Sequence, residues 1–176
     1  FVERMDVSVK DRHTVCVNVY EKALAGYVKY LGTYVYFDKD GIVVENSSVI
    51  TRGIPEVTGL KFNHVILHEP LPVENEDIFQ KILNMTNLLN KYEIEATKIY
   101  FDSMESMTLY FNDVRAIIGD EAQLDEKIMR LSNILPSLEG KSGVLHLETY
   151  SDSSKDITFE SDRMSEIETN ETTGEN

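Results

Sequence analysis

The sequence of 176 residues contains one cysteine and four prolines. A single cysteine excludes an intramolecular disulfide framework, and Cys16 lies in an alternating apolar run where we expect a buried thiol. No run approaches the roughly 18 to 20 apolar residues of a membrane-spanning helix, which excludes such a helix within these residues. Charges in the first ten residues also argue against a signal peptide.

Basic residues are scarce as well, since 17 Lys and Arg stand against 31 Asp and Glu and the net charge is −14. A phosphate backbone or an anionic lipid surface repels such a chain, which argues against nucleic-acid binding. Acidic residues concentrate near the end of the sequence, where too little apolar surface is present to offset chain entropy. We therefore predict that residues 161–176 form a disordered acidic tail.

Motifs for catalysis and for cofactor binding are missing. No glycine-rich phosphate loop, Gly-x-Ser-x-Gly elbow or His-Glu-x-x-His pattern is present. Asp38, Asp40 and Gly41 begin like a calcium loop, but the later ligands of such a loop are absent. The four histidines are dispersed, at His13, His64, His68 and His146. We predict no catalytic residue, no metal site and no cofactor.

Alternation of apolar and polar residues predicts two β-hairpins at the start of the chain. The first runs from Met5 to Tyr20 and turns at residues 10–13. The second turns at residues 38–41, where Asp and Gly suit a tight reversal. A loop with a short extended piece follows at residues 54–59, and the proline-rich segment after it is unsuited to a central strand.

Apolar residues at three- and four-residue spacing predict two helices. One spans Ile78 to Leu89, and the other spans Leu124 to Leu135 and is closed by Pro136. Further strands are predicted at residues 97–102, 107–111, 114–118, 144–147 and 157–159. This order predicts an α+β fold, with a mostly antiparallel sheet and two amphipathic helices on one face.

The last predicted strand, residues 156–160, is short and precedes the acidic tail. A strand at a sheet edge has unpaired main-chain groups that can accept a strand from a partner. A purely structural last strand is equally compatible with the sequence.

Five short motifs, in this order along the chain, resemble those of the FtsQ/DivIB family of bacterial cell-division proteins. They are EKALAGY at 21–27, YFDKDGIV at 36–43, PEVTG at 55–59, VRAIIG with the following L-x-x-K-x-x-x-L at 114–131, and GVLHL at 143–147. The resemblance implies three parts. Residues 1–22 would be the C-terminal hairpin of a truncated POTRA domain, residues 23–160 the family's β domain, and residues 161–176 the tail.

The resemblance also implies a non-enzymatic divisome scaffold on the extracytoplasmic side of the cell membrane at the division septum, held by an anchor absent from this chain. Family members recruit the proteins FtsB/DivIC and FtsL, and their last strands take up a strand from FtsB/DivIC. Transferred by position, the partner contact falls on a strand from Leu147 to Tyr150 and on the last strand. The seven contact residues are Leu147, Tyr150, Asp156, Ile157, Thr158, Phe159 and Glu160.

Two other classes of function remain open from the residues alone. One is a secreted or surface ligand-binding module of another system, which a cleavable signal peptide in the full gene would favour. The other is a small hydrolase with an unrecognised site, which would lose turnover when a single carboxylate is mutated.

Overall fold

A computed structural model describes residues 2–21, 24–151, 154 and 156–162. Residues 163–176, most of the predicted acidic tail, lie outside the described residues. Within the described part of the chain, no helix is long and apolar enough to cross a membrane.

The described residues form eleven strands, two α-helices and one 3-10 helix. In chain order the strands are β1 (Val2–Asp11), β2 (Thr14–Glu21), β3 (Leu24–Tyr30), β4 (Thr33–Asp38), β5 (Val43–Ser47), β6 (Glu56–Thr58), β7 (Lys98–Phe101), β8 (Met107–Phe111), β9 (Val114–Gly119), β10 (Gly143–His146) and β11 (Thr158–Ser161). The helices are α1 (Asp77–Lys91) and α2 (Leu124–Ile134), and the 3-10 helix (Leu135–Leu138) continues α2.

The strands form two separate sheets. β1 and β2 make a two-stranded sheet, and the other nine strands make one sheet in the order β11-β10-β9-β8-β7-β6-β3-β4-β5. Five of the eight neighbouring pairs in the large sheet are antiparallel, and the pairs β9–β10, β3–β6 and β6–β7 are parallel. This architecture confirms the predicted α+β class with a mostly antiparallel sheet and two helices.

The first hairpin follows the predicted alternation, with Val7 opposite Val17 and Val9 opposite Val15. Its apolar face is nevertheless open, since the side chains remain 50 to 74% exposed. They are Met5, Val7, Val9, Val15, Val17 and Val19. The prediction of a buried thiol is wrong, because Cys16 pairs with Ser8 on the opposite, polar face of the hairpin and is exposed.

The two helices lie side by side against the large sheet. On α1 the side chains of Ile82 and Met85 are fully buried, and the Thr86 hydroxyl donates to the carbonyl of Ala25 in β3 at 3.0 Å. The helices are joined by an ion pair between Lys91 and Asp125, with 2.6 Å between Nζ and Oδ1. Burial of this apolar face stabilises the layer by about 1.5 to 3 kcal/mol per large side chain.

A lysine completes the buried stripe of α2. The Lys127 side chain is 1% exposed, and its Nζ donates to the carbonyl oxygen of Ile118 at 2.8 Å and to that of Asp120 at 3.3 Å. A buried ammonium needs such partners, because its desolvation is costly. Lys127 therefore ties the end of β9 to the helix that covers it.

Two segments differ from the sequence-based expectation. β3 is a central strand that alternation did not reveal, because Gly26, Tyr27 and Val28 are all buried. The predicted strand at residues 147–150 is wrong, since β10 ends at His146 and the chain then turns, with the Tyr150 amide donating to the Leu147 carbonyl at 3.1 Å.

Candidate protein-binding edge

β11 lies at one edge of the large sheet and is hydrogen-bonded to β10 alone among the described strands. The pairing is antiparallel, with Leu145 opposite Phe159 and His146 opposite Thr158. The strand is four residues long, which leaves little main chain on the free side. Any partner that pairs here therefore meets a short and defined row of donors and acceptors.

The direction of each main-chain group on β11 follows from one hydrogen bond. The Asp162 amide donates to the carbonyl of Ser142 at 3.1 Å, so the facing pair of Gly143 and Ser161 is a non-hydrogen-bonded pair. Hydrogen-bonded and non-hydrogen-bonded pairs alternate along an antiparallel ladder. The N–H and C=O groups of Thr158 and Glu160 therefore point to β10, whereas those of Phe159 and Ser161 point away from the sheet.

The side chains of β11 divide between the two faces of the sheet. Ile157 and Phe159 are half-buried and pack against the hydrophobic core. Thr158 and Glu160 are exposed on the opposite face, and Asp156 is exposed just before the strand. The apolar residues of the predicted contact thus fasten the strand to the core, while the polar residues face solvent.

The end of β11 is fastened to the neighbouring strands by Asp162. Its carboxylate contacts the guanidinium of Arg115 on β9 at 2.8 Å and accepts a hydrogen bond from the Ser142 hydroxyl. The absence of a side chain at Gly143 is also required, because a Cβ there would overlap the carbonyl oxygen of Glu160 and lie 3.0 Å from the Cα of Ser161. Neither Asp162 nor Gly143 was predicted to belong to the site, although Gly143 lies in one of the five motifs.

The other two predicted contact residues lie beneath the surface. Leu147 is fully buried and Tyr150 is 4% exposed. The Leu147 amide donates to the Ile117 carbonyl at 2.9 Å, and the Tyr150 hydroxyl donates to the Glu126 carboxylate at 3.1 Å. Their side chains therefore brace the connection between β10 and β11 against β9 and α2, and are not on the surface that a partner would meet.

The opposite edge of the sheet, at β5, is covered at its start. Residues 66–71 run along its first part: the Val43 amide donates to the Glu69 carbonyl at 2.9 Å, and the His68 amide donates to the Val43 carbonyl at 2.8 Å. Pro70, which has no amide hydrogen, forms a bridge with Ile42. Such a covering segment prevents another strand from pairing with the part of the edge that it covers.

Two carboxyl groups with lowered pKa values lie in ion pairs on the helix side of the protein. A hydrogen bond from Lys91 lowers the pKa of Asp125, and hydrogen bonds from Lys81 and Asn75 lower the pKa of Glu105. In the part of the chain that the structure describes, no three His, Cys, Asp or Glu side chains are grouped to hold a metal ion.

No family model matches the sequence. A curated protein does. The chain is similar to the cell division protein DivIB of Clostridium tetani, with 24% identity over 139 residues. The match covers 74% of this chain and 51% of that protein, so the chain spans about half the length of its curated relative. This similarity supports a relationship to DivIB proteins and a role in cell division.

Proposed function

We propose that this chain is the extracytoplasmic part of a non-enzymatic divisome scaffold, which recruits FtsB/DivIC and FtsL at the septum by accepting a strand at β11. In this proposal the full-length protein is held in the cell membrane by an anchor outside these residues. The similarity to a DivIB protein supports the role in cell division.

The observation that carries the proposal is the outward main chain of β11. The amides and carbonyls of Phe159 and Ser161 point away from β10, and no described residue is hydrogen-bonded to them. A partner strand would pair with these groups, and its main-chain hydrogen bonds would supply the affinity. At the other edge, residues 66–71 already occupy the main-chain groups of Val43, at the start of β5.

Specificity would come from side chains beside the added strand. Thr158 and Glu160 face solvent next to the free edge, and Asp156 is exposed at its start. The carboxylates of Asp156 and Glu160 favour Lys or Arg on the same face of the partner strand, because opposite charges on neighbouring strands attract. Ile157 and Phe159 would contribute mainly by fixing β11 to the core.

We further propose that residues 1–22 belong to a POTRA domain and residues 23–160 to the β domain. The separation of the β1–β2 hairpin into its own sheet supports this division. In a longer protein the six exposed apolar side chains of the hairpin would pack against upstream residues, because burial of that face is favourable.

The decisive experiment is isothermal titration of this chain with the soluble outer domains of DivIC and FtsL from the same organism. Ser161→Pro removes an outward donor and places a pyrrolidine ring where the partner strand would lie. The inward bonds of Glu160 to β10 stay in place. We expect at least about tenfold weaker binding, from the lost hydrogen bond and the steric clash.

Ser161→Ala is the matched control, since it removes the hydroxyl and keeps the amide donor. Circular dichroism first establishes that both variants fold. Binding that survives in Ser161→Ala and is lost in Ser161→Pro supports strand addition at β11. Equal binding by both variants places the contact elsewhere, and no binding by the parent chain overturns the divisome proposal in favour of a secreted ligand-binding module.

A further inference from the structure

A cleft of about 410 Å³ lies at the end of the sheet where β8 turns into β9. It is bounded by the residues that follow α1, by the β8–β9 turn, and by the 3-10 helix with the residues after it. Its floor is apolar and consists of Ile94, Phe111, Val114, Leu135, Pro136 and Leu138. The volume falls within the range of about 300 to 1,000 Å³ that is typical of ligand pockets.

The rim of this cleft is strongly acidic. Four exposed carboxylates surround it, from Glu93, Glu95, Asp113 and Glu139, and one cation, Lys141, lies beside them. None of these five side chains forms an ion pair with another described residue. The rim therefore has a net negative charge around an apolar floor, which favours a cationic and apolar occupant.

The walls of the cleft are fixed by hydrogen bonds. After α1, the Ile94 amide donates to the Leu89 carbonyl at 3.0 Å and the Glu93 amide donates to the Asn90 carbonyl at 3.2 Å, as in a Schellman motif. Across the cleft, the Lys141 amide donates to the Leu138 carbonyl at 3.0 Å. A pre-formed site binds with a smaller loss of conformational entropy.

We propose that this cleft binds a short basic segment of a partner protein, with an aliphatic side chain on the floor and flanking Lys or Arg side chains at the rim. The chain's own residues 163–176 are a poor occupant, because they contain four Glu and one Arg and would be repelled by the rim. A peptide with the opposite charge satisfies both the floor and the carboxylates.

The cleft lies at the same end of the sheet as Ser161 on β11. The Gly143 amide donates to the Asp113 carbonyl at 3.2 Å, and Ser161 lies opposite Gly143. A strand added to β11 in either direction therefore has one end at the same end of the sheet as the cleft. If the proposed strand addition occurs, a single partner can occupy both places, but the cleft does not depend on it.

The test is a titration of the isotopically labelled chain followed by amide NMR shifts. The probe is the capped peptide Lys-Lys-Leu-Leu-Lys-Lys, and the comparison peptides are Lys-Lys-Ala-Ala-Lys-Lys and Glu-Glu-Leu-Leu-Glu-Glu. We expect saturable shifts at residues 93–97, 111–114 and 135–141 with the first peptide only. Shifts elsewhere, or equal shifts with any comparison peptide, overturn the proposal.

Charge-reversing variants separate the cleft from the overall charge of the protein. Glu95→Lys with Glu139→Lys changes the rim, whereas Glu69→Lys with Glu121→Lys makes the same change in net charge at exposed residues that do not line the cleft. We expect at least about tenfold weaker peptide binding for the rim variant and less than about twofold for the other. Equal weakening would show attraction by net charge alone and overturn the site. Because no DivIC or FtsL is used, this result is independent of the proposed function.

Discussion

The two edges of the large sheet differ in how their main chain is satisfied. At β5, residues 66–71 supply hydrogen-bond partners to Val43 and place a proline beside Ile42. At β11, Phe159 and Ser161 direct their main-chain groups away from the sheet with no described partner. An open edge risks unwanted strand pairing, so the uncovered main chain of β11 is a reason to look there for a binding function.

The difference also concerns what holds each edge in place. The covering segment at β5 is anchored by Leu71, which is 1% exposed and whose amide donates to the Gly41 carbonyl at 2.9 Å. β11 is held by the half-buried Phe159, by Asp162, and by close approach to Gly143. Each edge can therefore be destabilised separately by substituting the residues that hold it.

The largest effect is expected from Leu71→Ala, which removes the anchor of the covered edge. We expect about 2 to 5 kcal/mol lower free energy of unfolding, because a cavity forms under residues 66–71. Hydrogen exchange at the amides of Val43 and His68 should accelerate. Leu67→Ala is the control, since that side chain is 50% exposed and its loss should change stability by less than about 0.5 kcal/mol. Equal destabilisation by both variants would contradict the assigned anchor.

A smaller effect is expected from Gly143→Val at the open edge. The new side chain would overlap the main chain of β11, and overpacking of this kind costs about 1 to 3 kcal/mol. The amides of Thr158 and Glu160 should lose protection from hydrogen exchange, and partner binding should fall with them. Val144→Ala on the same strand is the control. Unchanged protection in Gly143→Val would show that β11 does not depend on this close approach.

The smallest effect is expected from acid, which acts on the helix layer between the two edges. Hydrogen bonds from lysines lower the pKa of Asp125 and of Glu105 in the folded protein. Their contribution to stability is therefore complete above the unfolded carboxyl pKa of about 4 and is lost as the pH falls through the folded pKa. Thermal unfolding should show this loss, and both edges should lose protection together.

The double variant Asp125→Asn with Glu105→Gln serves as the control for the acid effect. It should remove part of the pH dependence of the melting temperature below about pH 4. A variant that keeps the full pH dependence would assign the acid sensitivity to other carboxylates. Loss of protection at one edge before the other would show that the helix layer does not link them.

Several elements were predictable because their residues alternate or repeat with a helical period. The β1–β2 hairpin has one apolar face, and α1 and α2 each have a single buried stripe. Alternation did not predict β3, because the sheet is covered on both faces at that strand. Tyr36, beside β3, is held under the loop at residues 49–51, with its hydroxyl accepting from the Thr51 amide at 2.6 Å. In a strand buried on both faces, apolar and polar residues do not alternate.

The candidate site was also predictable only in part. Sequence placed a short last strand at residues 156–160, and the structure has β11 at Thr158–Ser161. Sequence did not distinguish the residues that face a partner from those that support the strand. Leu147 and Tyr150 are buried beneath the connection, while Asp162 and Gly143 hold β11 in place. That distinction depends on contacts between residues far apart in the chain.

Charge and periodicity are local properties, so the acidic character of the protein, its α+β class, and the positions of its helices and hairpins follow from the amino-acid sequence. The identity of the edge strands, the free main-chain groups and the burial of Lys127 beside Ile118 follow from contacts in the folded protein. Strand order and main-chain direction follow from long-range pairing, which a local pattern of residues does not specify.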